Sequence, residues 1–124
     1  MVLIDTSIWV DYIRLGNEQL AQLLRQDRVL MHDMVLGEIA CGSLQQRADR
    51  LAVLAELPRI DGAEHNEIMR FIDKNQLHGC GIGYVDNHLL AAVKLRLGTK
   101  LWSRDKRLAA AAQRLGLAFG TEVH

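Results

Sequence analysis

Cysteine is scarce in this 124-residue chain, and its two cysteines, Cys41 and Cys80, form no CxxC pair and join no ligand cluster. That excludes a disulfide scaffold and a thiolate metal site. Each cysteine sits among apolar or glycine neighbours, so both are expected as buried, reduced thiols of a cytoplasmic protein. Proline is scarcer still, with Pro58 alone, and there is no linker-like stretch, low-complexity segment or internal repeat. Net charge is absent too: 15 Lys and Arg balance 15 Asp and Glu, so overall charge announces neither a nucleic-acid nor a membrane partner. No apolar run approaches the roughly 20 residues of a membrane span. Only Val2, Leu3 and Ile4 separate Met1 from Asp5, too few for a signal peptide. The five histidines follow no HExxH or other zinc spacing. Gly79-Cys80-Gly81-Ile82-Gly83 lacks the Gly-Lys-Ser/Thr of a nucleotide loop, and its glycines read as a flexible approach to the helix that follows.

The composition, 49% hydrophobic and 24% charged, is that of a globular protein with one core, so residues 1–124 are expected to form a single domain. Strand-like and helix-like segments alternate. Strands are expected at 2–4, 29–31, 59–60, 101–102 and 117–119. Helices are expected from Thr6 or Ser7 to about Arg14, and over 18–26, 34–43, 47–56, 63–77, 84–97 and 104–115. This order predicts an α/β fold, a three-layer α/β/α sandwich around a mostly parallel sheet. Sites in such sheets lie beyond the carboxyl ends of the strands. If the strand at 101–102 neighbours the first, Asp5 and Asp105 meet at one sheet edge.

Asp5, Glu38, Asp86 and Asp105 stand where apolar structure gives way to a helix start or a polar break. Each has a structural explanation of its own. Asp5 can cap a helix, unless Thr6 or Ser7 takes that role. Glu38 has Met34, Val35, Cys41 and Gly42 at helical spacing, so it needs a partner, either a cation or a buried arginine. Asp86 and Asp105 fall in first helical turns, which favour acids, with Ser103 as candidate cap for the latter. Asp86 shares a helical line with Leu90, Val93 and Leu97 and is expected to face inward. Four such placements together suggest one acidic pocket. Converging carboxylates repel unless a cation neutralises them, and an all-oxygen donor set selects Mg²⁺ or Mn²⁺. From Lys94 to Arg114 the chain carries Lys94, Arg96, Lys100, Arg104, Lys106, Arg107 and Arg114 against Asp105 alone. That basic stretch suits a phosphate-bearing substrate or a solvated helix face.

Four segments, Leu3-Ile4-Asp5-Thr6-Ser7-Ile8-Trp9-Val10-Asp11, Val35-Leu36-Gly37-Glu38-Ile39, Gly81 to Ala92 and Leu101 to Leu108, together resemble the PIN-domain ribonucleases, above all the VapC toxins of bacterial toxin–antitoxin pairs. The resemblance spans the chain in the family's order. It implies a PIN-like fold, an acidic Mg²⁺ site formed by Asp5, Glu38, Asp86 and Asp105, and RNA cleavage that leaves a 5′-phosphate. Asp5 and Asp86 are the leading metal ligands. Ser103 matches a Ser/Thr position of the family, and Thr6 is a further polar auxiliary. Asn87 departs from the small residue expected beside Asp86. Implied partners are RNA such as tRNA or rRNA, a second copy of the chain, and a VapB-like antitoxin through which DNA is met indirectly. Arg104, Lys106 and Arg107, within a turn of Asp105 in the basic stretch, are the residues expected to hold the RNA backbone. Two rivals remain at this level: a receiver-like regulator, which needs paired acids after the first strand, and a catalytically silent PIN-like binding module, which should have lost an acid.

Overall fold

The computed structural model describes residues 1–120. Three short strands, β1 (Val2–Ile4), β2 (Val29–Leu30) and β3 (Lys100–Trp102), form a parallel sheet in the order β2-β1-β3. Val2, Leu3 and Ile4 are all buried. A strand with no polar face belongs at the centre of a covered parallel sheet, and that is where β1 lies. Helices flank it: α1 (Thr6–Leu15), α2 (Glu18–Arg25), α3 (Asp33–Cys41), α4 (Arg47–Ala55), α5 (His65–Lys74), α6 (Tyr84–Leu95) and α7 (Lys106–Arg114). The expected α/β architecture is therefore the observed one. The core gathers Leu3, Ile4, Trp9, Leu20, Leu30, Val35, Leu89, Leu90 and Leu108 between sheet and helices.

Two expected strands shrink to single bridges, Met31 with Arg59 and Leu101 with Ala118. The cysteines differ more: Cys41 and Cys80 are free and exposed. Cys41 ends α3 on the face of Gly37 and Glu38, whereas Val35 and Ile39 supply the buried face. Cys80 lies in the turn between Gly79 and Gly81, where no helix or strand covers it. Apolar sequence neighbours do not bury a residue at a helix end or in a turn. Among the described residues no helix is long and apolar enough to cross a membrane.

The start of α3 carries a pH-sensitive cap. His32 is buried, and its Nδ1 accepts a hydrogen bond from the Met34 N–H at 3.0 Å. Burial, and then neighbouring His88, hold the imidazole below its ordinary pKa, with Asp33 opposing. A depressed histidine contributes stability that is full above its unfolded value, about 6.5, and lost as pH falls towards the folded value. Protonation also turns the accepting Nδ1 into a donor facing another donor. The His32→Asn variant, which keeps a capping oxygen but cannot titrate there, is expected to show a flatter fall of melting temperature below pH 6.5 than the wild type. His32→Ala is expected to lose about 1 kcal/mol near neutral pH. Parallel pH slopes for wild type and His32→Asn in thermal melts would refute this.

Candidate metal and phosphodiester site

Parallel pairing of β1 with β3 brings the segments after both strands to one edge of the sheet. The Asp5 N–H extends that pairing by donating to the Trp102 carbonyl at 2.9 Å. Asp5 is itself the N-cap of α1: its Oδ1 accepts from Thr6 N at 2.7 Å. Neither Thr6 nor Ser7 takes that role, because both hydroxyls are engaged elsewhere. Asp5 Oδ2 accepts from the Ser103 hydroxyl at 2.7 Å and the Ser7 hydroxyl at 3.1 Å. Ser103 Oγ in turn accepts from Asp105 N at 3.0 Å, and Ser7 Oγ from Arg104 N at 3.2 Å. Two serines thus fasten the end of β3 to the end of β1, with the buried Asp5 carboxylate at the knot.

Asp105, not Ser103, caps α7, its Oδ1 accepting from Arg107 N at 2.9 Å and Leu108 N at 3.1 Å. The Ser103 oxygen accepts from the Asp105 N–H instead, ahead of the helix. Glu38 is exposed on α3 rather than turned into an apolar stripe. Its partner is the Thr6 hydroxyl, which donates to Oε1 at 2.5 Å, rather than an arginine. Asp86 is half-buried in the first turn of α6, and its Oδ2 accepts from Gly83 N at 2.9 Å. Asn87, whose part the sequence left open, donates from Nδ2 to the Gly83 carbonyl at 2.9 Å. Gly83 is gripped from both sides, which sets where Asp86 enters the site. The spacing of four between Gly83 and Asn87 was the signal for this clasp, and sequence reasoning missed it.

The acids act on one another. Burial pushes the Asp86 carboxyl above its ordinary pKa; the Gly83 N–H opposes this, and the charges of Asp5, Asp105 and Glu38 push it further up. Side chains from the β1–α1 junction, α3, α6 and the β3–α7 junction therefore share one electrostatic site. Asp86 Oδ1, Asp105 Oδ2 and Glu38 Oε2 make no hydrogen bond among the described residues. Free carboxylate oxygens around a repelled acid are the donor chemistry of a hard divalent cation. The convergence is loose, since among the described residues no three His, Cys, Asp or Glu side chains are arranged to grip one ion. The all-oxygen donor chemistry is of the kind that suits Mg²⁺ or Mn²⁺ rather than a softer metal.

The basic residues separate. Arg104 forms an ion pair with Asp11 of α1, so its charge is held by the protein. Arg107 is exposed and lies against Gly81, where an added Cβ would come within 2.6 Å of Arg107 Cδ. Gly81 also has φ +80°, a left-handed conformation that side chains resist. The glycine-rich turn thus serves close packing against α7. Lys106 is exposed, without an ion pair among the described residues.

Comparison with known proteins agrees with this architecture. Residues 2–114 match the PIN domain family. Over 123 residues the chain is 41% identical to Ribonuclease VapC32 of Mycobacterium tuberculosis, in two strains, covering 99% of each chain. The crystal structure of PAE2754 from Pyrobaculum aerophilum superposes with a TM-score of 0.65, covering 90% of this chain and 84% of that one at 14% identity, a likeness of fold alone.

Proposed function

This chain belongs to the PIN-domain family and is of the VapC type, and from that footing we propose that it is the ribonuclease toxin of a toxin–antitoxin pair, cutting RNA phosphodiester bonds with Mg²⁺ or Mn²⁺. The observation that carries the reading is the meeting of Asp5 with the Ser103–Asp105 segment at the sheet edge, beside an Asp86 carboxyl that burial first, and then the charges of Asp5, Asp105 and Glu38, hold above its ordinary pKa. When bound, the cation supplies activation of water and neutralisation of charge on the attacked phosphate. Asp5 and Asp86 would hold it, with Glu38 and Asp105 completing the acidic wall. Ser103 and Ser7 keep Asp5 aimed by donating to Oδ2. The Gly83 N–H does the same for Asp86, and Asn87 holds Gly83 in place by donating to its carbonyl. Thr6 orients Glu38 so that Oε2 stays available. A silent binding module has no use for four oriented acids that repel one another, which disfavours that rival. A VapB-like antitoxin, a homodimer and a single domain over 1–124 belong to the same proposal.

The test is to induce the protein, sequence RNA 5′ ends, and reproduce the mapped cut with purified protein. A recurrent 5′-phosphate end that appears in both settings supports the reading, and its absence from the purified reaction sinks it.

Lys106 and Arg107 are the proposed phosphate ligands beside the acids, while Arg104 is bound to Asp11 and drops to a secondary part. The double variant Lys106→Gln, Arg107→Gln is expected to weaken binding of all single-stranded RNAs alike. It should also lower the salt slope by about 0.7 for each phosphate that is no longer neutralised. An unchanged slope, measured by fluorescence anisotropy between low and moderate salt, together with lost binding in a separate antitoxin titration, would hand this surface to the antitoxin.

A further inference from the structure

A cleft of about 480 Å³ adjoins the acids between α1, α3 and the segment leading into α4. Ile13, Ile39 and Leu44 give it apolar lining, Arg14 and Arg50 give it cationic lining, and Glu38 forms its border with the acidic site. We propose that this cleft holds one unpaired nucleotide of the RNA next to the bond that is cut, with the base against Ile13, Ile39 and Leu44 and the phosphate at Arg14 and Arg50. The proposal rests on the ribonuclease reading and adds to it a place where a base is read.

Three observations carry it. The volume lies in the range of about 300–1,000 Å³ typical of pockets for small ligands. Neither Arg14 nor Arg50 is ion-paired among the described residues, unlike Arg104, and the buried Nε of Arg50 has no hydrogen-bond acceptor among them. A phosphate oxygen satisfies that donor, and guanidinium planes also stack on unpaired bases. Finally, Glu38 belongs to both the cleft and the acids. Whatever fills the cleft reaches the acids within one side chain. A nucleotide there continues along its own backbone into the site, bringing the phosphodiester on which the acids are proposed to act.

The probe is the oligoribonucleotide carrying the mapped cut, together with copies in which each position flanking the cut is made abasic in turn. Arg14→Gln and Arg50→Gln are each expected to raise KM about tenfold, as removal of a charge-assisted hydrogen bond does, with kcat within twofold of wild type. Arg14→Lys should recover part of the loss. One abasic position should raise KM to a similar degree in the wild type and add little in the variants. Arg14 is exposed, so Arg14→Gln keeps the test open even if Arg50→Gln fails to fold. Unchanged KM in Arg14→Gln while the wild type cleaves RNA overturns the subsite alone, as does indifference to every abasic position. Unchanged KM with abolished binding of the purified antitoxin assigns the cleft to a protein partner and also overturns it. Failure of the wild type to cleave any RNA removes the ribonuclease reading and the subsite together.

Discussion

The Asp86→Asn variant is expected to lose RNA cleavage by on the order of a thousandfold, as removal of a charged group at a phosphoryl centre does, while folding as well as the wild type or better. Asparagine keeps an oxygen for the Gly83 N–H and the shape of the first turn of α6. What disappears is a charge that burial and three other acids disfavour. The sign follows from that direction. A carboxyl whose folded pKa is raised contributes stability that is full below its unfolded value and lost as pH rises through the folded value. Ionised Asp86 therefore costs stability at neutral pH, and the stabilisation in Asp86→Asn should appear near pH 7 and vanish in acid. Thermal melts at two pH values and a cleavage assay on one preparation check both halves. Retained cleavage would remove Asp86 from the proposed mechanism. Asp5→Ala is the instructive contrast. It too should be inactive, but it removes the N-cap of α1 and strands the Ser103 and Ser7 hydroxyls. It should cost about 2 kcal/mol, about half from the cap and half from the unpaired hydroxyls. Asp5 is thus a structural residue as well as a candidate ligand, and its variant cannot be read from activity alone.

Removal of divalent cations with EDTA is expected to abolish cleavage, and returning Mg²⁺ or Mn²⁺ should restore it. Preferential binding to the folded state also stabilises, by about 2.7 kcal/mol at a hundredfold excess over the dissociation constant. The melting temperature should rise with added cation at pH 7. That rise should shrink in acid, where protons rather than the cation relieve the repulsion at Asp86. No three such groups among the described residues are arranged to grip one ion, so cation binding at the proposed site would require the acids to rotate inward. Asp105 and Glu38, the exposed pair, have the room to do so. Chelator-resistant cleavage, with contaminating nucleases excluded, would force a metal-free mechanism. Equal cation-induced shifts in wild type and Asp86→Asn would place the binding elsewhere.

Local pattern alone settled the alternation of strands and helices and the buried β1 run, because these depend on periodicity and on breaks that each segment carries within itself. Val2-Leu3-Ile4 has no polar alternate residue, so it had to be a covered strand. Which side chains became partners was settled by packing between distant segments. Asp5, Thr6 or Ser7 could cap α1; Asp5 holds the cap, while the Thr6 hydroxyl goes to Glu38 of α3 and the Ser7 hydroxyl joins Asp5 to Arg104 beyond β3. Glu38 could have met an arginine, but the packing of α1 on α3 offered the Thr6 hydroxyl instead. Arg104 read as a phosphate ligand until the fold placed Asp11 beside it, 93 positions away in the chain. Cys41 and Cys80 read as buried from their neighbours, yet one ends a helix and the other sits in a glycine turn. Hydrogen bonds and ion pairs between distant segments depend on distances that no local pattern encodes, so these choices became visible only once the strands were paired.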